Sequence, residues 1–423
     1  MTEQLLQYIW QFQYFNLNDL ITAEGEKVTI IHRGTHNKNQ GPDFLKATIK
    51  IGDTTWVGNI ELHINSSHWV DHQHSSDKNY KNIILHVVWK NDKKLDLPFP
   101  VLELQSRVSK LLLGRYSELM KTGTFIPCEK NIQQADQLTW VAWKERLLVE
   151  RLQEKSAIVL QYLAESTNHW EEVFWWLLAR NFGMKVNSDA FEKIARSVPV
   201  NILAKHKNQV QQLEALLLGQ ASLLQGAFTD PYVVMLQKEY FFLQKKYRLT
   251  AINIPVHQLR MRPSNFPAVR LAQLAMLVHN SSHLFSKIIA IQNIKELKEL
   301  LDITANDFWH YHYVTGEASD YKEKKVGTQM VENILINTIA PVLFAYAQHT
   351  RENHYKDKAL QWMEQVTAEK NTITKGYAAL GLEVKTALDS QALIQLKNFY
   401  CNQKRCLECA VGSKILKAPS FPK

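Results

Sequence analysis

The sequence predicts an α+β protein, in which a first domain with a mixed sheet and flanking helices precedes a mostly α-helical domain. Strand patterns lie together between residues 27 and 105. From residue 136 onward, apolar residues recur at intervals of three and four, the spacing of a helix with one buried face. A chain of 423 residues is also too long for one ordinary core. We therefore expect two domains, residues 1–125 and residues 126–423.

The first domain is predicted to contain an opening helix, several strands and a return helix. MTEQLLQYIWQF at the start has the spacing of an amphipathic helix. LKATIKI and TTWVGNIELHI alternate as two strands of a hairpin, joined by a tight turn at Gly52-Asp53. NIILHVVW is a nearly continuous apolar run, typical of a central strand buried on both faces. Two further strands are expected at KVTIIH and LPFPVLELQ, and the return helix at SRVSKLLLGRYSELMK.

Three side chains of the hairpin form the candidate catalytic site. Glu61 and His63 are two residues apart, so on a strand they point to the same face. Asp43 precedes the first strand, and the hairpin should bring it close to that face. Two carboxylates and an imidazole can hold a divalent cation. The alternative is that Asp43 caps a turn while Glu61 and His63 are solvated strand residues.

This layout resembles the core of the PD-(D/E)XK nucleases. Pro42-Asp43 matches the first element of that motif, and Glu61-Leu62-His63 matches the second, with His63 in place of the lysine. The resemblance implies Mg²⁺ or Mn²⁺ bound by Asp43 and Glu61, with a water positioned on a phosphodiester. A neutral imidazole is not a permanent cation as lysine is. His63 would therefore be a third ligand or a general base, or the site would be inert.

Histidines cluster around the same hairpin. Seven of the sixteen histidines lie between His32 and His86. Imidazoles beside carboxylates are typical ligands of zinc, manganese and iron. His72 and His74 have ligand-like spacing if the backbone is extended there, and the alternative is a loop held by hydrogen bonds. His86 lies within the apolar run, where a core histidine that donates to a carbonyl is the favoured interpretation.

The charge of the chain suggests an acidic partner. The formal net charge is +9 and the pI is near 9.1, which is compatible with DNA or RNA but also with a mildly basic soluble protein. The loop before Asp43 carries the candidate phosphate-binding residues Arg33, His36 and Lys38. Arg262 and Arg270 flank a proline-rich turn at a helix start, where they could bind phosphate or, as we favour, hold buried groups.

The four cysteines form a second candidate metal site. Cys401, Cys406 and Cys409 have the spacing C-x4-C-x2-C, and Cys128 is the only other cysteine. Clustered thiols favour a metal over disulfides, and thiolate ligands suit zinc or an iron–sulfur cluster. Some RecB-like nucleases join one distant cysteine to a terminal trio in a comparable way. Buried free thiols are the alternative.

The whole chain resembles a bacterial family of domains of unknown function. The resemblance rests on GPDF, NIELHINSSHW, NIILHVV, RPSNFPAVRLAQ, NILINTIAP and YCNQKRCLECAVG. No run of 18 apolar residues and no signal-peptide pattern occurs, so we expect a cytoplasmic protein without a membrane span. The expected function is a metal-dependent nuclease. The alternatives are a non-catalytic nucleic-acid-binding or scaffold protein and a metal hydrolase acting on a small substrate.

Overall fold

The computed structural model describes residues 1–37, 39–72, 74, 77–121, 123–250, 252, 254–258 and 262–417. The chain divides into two compact units, residues Met1–Trp143 with Lys397–Lys423, and residues Lys144–Leu396. The large sheet lies in the first unit, and the second unit is mostly helical. The predicted α+β class is confirmed.

The first unit is built on a six-stranded sheet with helices beside it. Its strands are β1 Val28–His32, β2 Thr35–His36, β3 Phe44–Ile51, β4 Thr54–Asn65, β5 Ile83–Lys90 and β6 Val101–Glu103. Its helices are α1 Glu3–Phe12, α2 His68–Asp71, α3 Lys110–Met120 and α18 Ala410–Lys417, and α4 Gln137–Glu165 begins here. Short 3-10 turns lie at Lys78–Tyr80, Gln105–Arg107 and Glu129–Gln134.

The sheet has the order β1-β3-β4-β5-β6, with β2 paired to β3. β3 and β4 form the expected antiparallel hairpin, in which Ile51 pairs with Thr54. β5 and β6 then run parallel to β4 and to each other. All six residues from Ile83 to Val88 are buried, which confirms the predicted central strand. The parallel register places Glu61 opposite His86.

One glycine permits the close approach of β4 to the chain before β5. A Cβ added at Gly58 would lie 2.4 Å from the side chain of Ile84 and 2.7 Å from the carbonyl oxygen of Asn82. The second neighbour is backbone, which cannot move away as a flexible side chain would. The register that pairs Glu61 with the β5 strand therefore depends on the missing side chain at residue 58.

The second unit consists mainly of helices that pack on one another. They are the rest of α4, followed by α5 Trp170–Phe182, α6 Met184–Ser197, α7 Val200–Lys205, α8 Val210–Gln220, α9 Pro231–Tyr247, α10 Pro267–Asn280, α11 Leu284–Ala290, α12 Ile294–Leu300, α13 Thr328–Ile334, α14 Ala340–Thr350, α15 His354–Glu364, α16 Thr372–Ala379 and α17 Ala387–Gln395. A small hairpin of β7 His312–Val314 and β8 Glu317–Ala318 lies among them, with 3-10 turns at Pro263–Asn265 and Asp307–Tyr311. Two π-helical segments, Leu335–Ile339 and Leu396–Cys401, extend α13 and α17.

One helical stretch in the described part of the chain, Thr328–Thr350, is long and apolar enough to cross a membrane by length and composition alone. Most of it, 78% of its most apolar window, is buried within the protein. A core helix of a globular protein passes the same test, so this stretch is weak evidence for a membrane span.

Candidate metal centre of carboxylates and imidazoles

The predicted carboxylates lie side by side in the first unit, where the start of β3 meets the middle of β4. The backbone N–H of Asp43 donates to Oε2 of Glu61 at 3.1 Å. The Asp43 carboxylate in turn accepts from the N–H of Leu62 at 3.0 Å and from Nε2 of Gln7 at 2.7 Å. Gln7 belongs to α1, so the opening helix also fixes the site. Asp43 and Glu61 are thus positioned by main-chain geometry as well as by the hairpin.

Two imidazoles face Oε1 of Glu61, and a third lies beside them. Nε2 of His63 lies 3.7 Å from Oε1 of Glu61, and Nε2 of His74 lies 3.5 Å from the same oxygen. Nδ1 of His72 lies 3.2 Å from Nε2 of His63. The ligand atoms of the three histidines all lie within 4.8 Å of one another. Zinc–nitrogen bonds of 2.0–2.1 Å place tetrahedral ligand atoms roughly 3.3 Å apart, so this spacing is close to that of a coordination shell.

A fourth imidazole lies behind the first. Nδ1 of His63 is 2.9 Å from Nε2 of His86, and both side chains are buried. The sequence favoured a His86 that donates to a carbonyl, whereas in the structure its Nε2 faces another imidazole. A metal-bound histidine needs a partner of this kind for its second ring nitrogen. Sequence reasoning found the cluster but not this pairing, because the pairing follows from the parallel β4–β5 register.

Burial opposes charge on the two carboxyl groups and on the two buried imidazoles of the site. Burial, and then the charge of Asp43, raises the pKa of Glu61 to about 9. Burial is also the main cause that raises the pKa of Asp43 to about 6. Burial and the neighbouring imidazoles lower the pKa of His63 to about 2, and burial followed by His74 lowers the pKa of His86 to about 3. His63 and His86 are therefore neutral, the form in which histidine binds metals.

The site opens on one side and adjoins a cavity on another. His72 is exposed, whereas His63 is buried. A cavity of about 570 Å³ begins at His74 and is lined by aromatic rings, among them Trp56, Trp69, Tyr80 and Phe99. The ring of His74 stacks on Tyr80 with centroids 3.9 Å apart. Trp56, which also lines the cavity, is half exposed. A ligand in this cavity would contact the rings of Trp56 and Tyr80 and would reach the candidate centre at His74.

The predicted phosphate-binding loop lies beside Asp43. The backbone N–H of Asn37 donates to the Asp43 carbonyl oxygen at 2.7 Å, and the ring of His36 stacks on Phe44. Arg33 is exposed, and its carbonyl oxygen accepts from Nε1 of Trp10 at 3.1 Å. Lys38, the third predicted residue of this loop, lies outside the described residues. His36 therefore lies at the β3 end of the site, and Arg33 belongs to the same loop.

Arg262 and Arg270 belong to the second unit. Arg262 is exposed and immediately precedes the turn Pro263–Asn265. Arg270 is buried on α10, where it donates to Oε1 of Gln273 at 2.9 Å and to Oδ1 of Asn265 at 2.6 Å. Its guanidinium is therefore engaged inside the protein.

The four cysteines belong to the first unit and are all buried free thiols. The thiol of Cys128 lies close enough to the other three for their charges to raise its pKa, after the larger effect of burial. The remote cysteine and the terminal trio are therefore neighbours, although more than 270 residues separate them in sequence.

Comparison with known proteins identifies the family. The model of a family described as a protein of unknown function (DUF2851) matches residues 3–372, and the chain belongs to this family. No curated protein and no solved structure matches the chain. The predicted membership of a family of unknown function is thereby confirmed, while the resemblance to a nuclease core receives no support from these comparisons.

Proposed function

We propose that this member of the DUF2851 family is a metal-dependent hydrolase that cleaves phosphodiester bonds in nucleic acid. In this proposal His63, His72, His74 and Glu61 hold one divalent cation, and Asp43 lies beside that centre. The proposal is carried by three imidazole nitrogens that lie within 4.8 Å of one another, two of which lie 3.7 and 3.5 Å from an oxygen of the buried Glu61 carboxylate.

Charge balance supports a bound cation. Glu61 is buried beside Asp43, and a buried carboxylate is costly unless a positive charge offsets it. Within the described residues, the ion-pair partners of Glu61 are only His63 and His74. Burial lowers the pKa of both imidazoles, so neither supplies that charge at neutral pH. Without a cation Glu61 keeps its proton at neutral pH, and a bound divalent cation would hold it as the carboxylate.

The ligand set favours manganese or zinc over magnesium. Mg²⁺ prefers oxygen ligands, whereas imidazole nitrogens suit Zn²⁺, Mn²⁺ and iron. The sequence led us to expect Mg²⁺ or Mn²⁺ on two carboxylates, and the three imidazoles move that expectation toward Mn²⁺ or Zn²⁺. Such an ion supplies Lewis acidity and a water nucleophile at neutral pH.

The contacts of Glu61, Asp43 and His86 suggest a separate role for each residue. Glu61 is assigned as a ligand because its Oε1 faces two imidazoles while its Oε2 is held by the Asp43 N–H. Both oxygens of the Asp43 carboxylate already accept hydrogen bonds, from Gln7 and Leu62. Asp43 is therefore assigned as the adjacent carboxylate that orients the nucleophile and receives its proton. His86 positions the ring of His63.

Charge and aromatic surface support nucleic acid as the substrate. The chain has a net charge of +9, and Arg33, in the loop that precedes Asp43, is exposed. The aromatic cavity next to His74 offers faces on which a base can stack. The order of the elements, with Pro42-Asp43 at the start of one strand and Glu61 on its antiparallel neighbour, is also compatible with phosphodiester cleavage.

The cavity also favours a second candidate, a metal hydrolase for a small substrate. Its volume of about 570 Å³ is within the range of small-molecule sites, which are mostly apolar with a few polar groups. A compact ester or phosphodiester could be held there without an extended nucleic-acid path.

The test is cleavage by the full chain after metal removal and reloading with Mn²⁺, Zn²⁺ or Mg²⁺. Labelled single- and double-stranded DNA and RNA are compared with a chromogenic phosphodiester. We expect cleavage with Mn²⁺ or Zn²⁺. Glu61→Gln should lose both metal and activity, whereas Asp43→Asn should keep the metal and lose at least 100-fold in turnover, the usual range for a catalytic acid or base.

Glu103→Gln is the matched control, because Glu103 lies on β6 of the same sheet and accepts from the Asn91 N–H outside the site. Cleavage that survives in Glu61→Gln, or that is lost equally in Glu103→Gln, refutes the assignment. Metal-dependent cleavage of the small ester alone supports the second candidate. Nucleic-acid binding without any cleavage leaves a non-catalytic binding protein.

A further inference from the structure

The four thiols lie in segments that the first unit holds firmly together. Nζ of Lys397 donates to the carbonyl oxygen of Phe125 at 2.6 Å, and Nζ of Lys404 donates to that of Met120 at 2.6 Å. Lys414 forms an ion pair with Asp136 at 2.7 Å. These bonds join the C-terminal segment to the chain on both sides of residue 128. The four cysteines, which are all the cysteines of the protein, are thereby brought together before any ligand binds.

Burial raises the pKa of Cys409, and two backbone N–H groups beside its sulfur oppose this effect. The backbone N–H groups of Val411 and Gly412, at the start of α18, donate to its sulfur. Such N–H···S bonds stabilise ligated cysteine sulfurs. A Cβ at Gly412 would lie 2.2 Å from the carbonyl oxygen of Cys406, so only glycine lets the helix approach this closely.

Burial keeps these cysteines protonated in the absence of a metal. Burial raises the pKa of Cys406 to about 12, with the charge of Cys409 adding to the effect and Lys404 opposing it. Burial and the three other thiols raise the pKa of Cys128 further. Four buried cysteines remain neutral thiols unless a metal offsets the charge of their thiolates, and the spacing of the four sulfurs bears on which metal could do so.

We propose that Cys128, Cys401, Cys406 and Cys409 bind an iron–sulfur cluster that fastens the C-terminal segment to the rest of the first unit. The spacing decides between a cluster and a single zinc. Zinc–sulfur bonds of about 2.3 Å would hold the sulfurs roughly 3.8 Å apart. Among the described residues, the group of three whose ligand atoms meet within 4.8 Å is the imidazole trio, and no three thiols do so. A cluster places its thiolates on separate iron atoms and so accommodates the wider spacing.

The test measures iron, acid-labile sulfide and zinc in the full chain, expressed with added iron and purified without oxygen. We expect about four iron and four sulfide per chain, together with the broad visible absorption of thiolate-bound iron. Cys409→Ser should lose the absorption and reduce iron at least fourfold. Ser413→Ala is the matched control, because Ser413 lies in the same C-terminal segment as Cys409. The change removes the 2.9 Å contact of Ser413 Oγ with Tyr8 but leaves all four sulfurs in place. This variant should keep the cluster.

If Cys409→Ser does not fold, the iron, sulfide and zinc content of the wild-type protein still tests the proposal. One zinc per chain without iron overturns the cluster in favour of a single ion. Protein without bound metal, in which all four thiols react with an alkylating reagent in the native state, overturns metal binding altogether. The Glu61→Gln variant should retain the iron, so failure at the imidazole centre and failure at the thiol site are separate results.

Discussion

The strongest quantitative prediction concerns His86, which touches the candidate centre only through another side chain. Its Nε2 lies 2.9 Å from Nδ1 of His63, and His86 is fully buried on β5. If Nε2 of His63 binds the cation, Nδ1 carries the proton and donates to His86. Removing such a partner of a metal-bound histidine typically weakens metal affinity 10- to 100-fold, or about 1.4–2.7 kcal/mol.

Two substitutions separate this role from packing. His86→Leu fills much of the space but provides no acceptor, so the metal dissociation constant should rise 10- to 100-fold. His86→Gln keeps an oxygen that can accept the His63 N–H, so it should recover most of the affinity. His32→Leu is the control, because His32 is an exposed histidine on β1 whose ring lies near the Lys46 carbonyl oxygen.

The assay is competition for Mn²⁺ or Zn²⁺ between the stripped full chain and a chromogenic chelator, with urea unfolding measured in parallel. Unfolding of the metal-free proteins shows whether a loss of affinity follows from a loss of stability. The reasoning is refuted if folded His86→Leu binds metal within twofold of the wild type. It is also refuted if His86→Gln is as weak as His86→Leu.

Two further predictions concern stability. Gly58→Ala should destabilise the protein by about 1–3 kcal/mol, because its Cβ would collide with the Asn82 carbonyl oxygen. In the control Gly114→Ala, in α3, the added Cβ meets no atom within 4 Å, so this variant should be neutral or slightly stabilised. Equal denaturation midpoints for the two variants would contradict the packing at Gly58. Burial raises the pKa of Glu214 from its usual 4.5 to about 7. The folded state therefore retains a proton that the unfolded state loses, so this contribution to stability is complete below pH 4.5 and is lost as the pH rises through about 7. Between pH 4.5 and 7 the free energy of unfolding of the wild type should therefore fall by about 3 kcal/mol more than that of Glu214→Gln. Urea unfolding at several pH values measures this difference. If the two proteins lose stability in parallel, the reasoning is wrong.

The periodicity of apolar residues was sufficient to predict most of the secondary structure. The alternation around Gly52-Asp53 predicted the β3–β4 hairpin, and the apolar run at 82–89 predicted the buried strand β5. Apolar spacing also placed Trp143 and Trp175 in cores, and both are buried. These features are local, because strand and helix periods are properties of neighbouring residues. The path of the C-terminal segment back to the first unit is not local, and no periodic pattern reports it.

In the candidate centre, too, some residues were placed by local sequence patterns and others were not. The side-chain period of a strand was enough to place Glu61 and His63 on one face, and the hairpin was enough to bring Asp43 to them. His72 and His74 follow β4 in a segment without periodicity, so the sequence offered only their residue type and their number. Their approach to Glu61 depends on how that segment folds back over the strand.

The position of His86 shows why a site of this kind resists prediction from one sequence. A histidine within an apolar run satisfies the pattern of a core strand, and the pattern does not say which neighbour its ring faces. That neighbour is set by the parallel pairing of β4 with β5, in which Glu61 lies opposite His86. The pairing in turn requires the close approach that Gly58 permits. Changes at residue 58 should therefore weaken the imidazole centre through register alone, without touching any of its ligands.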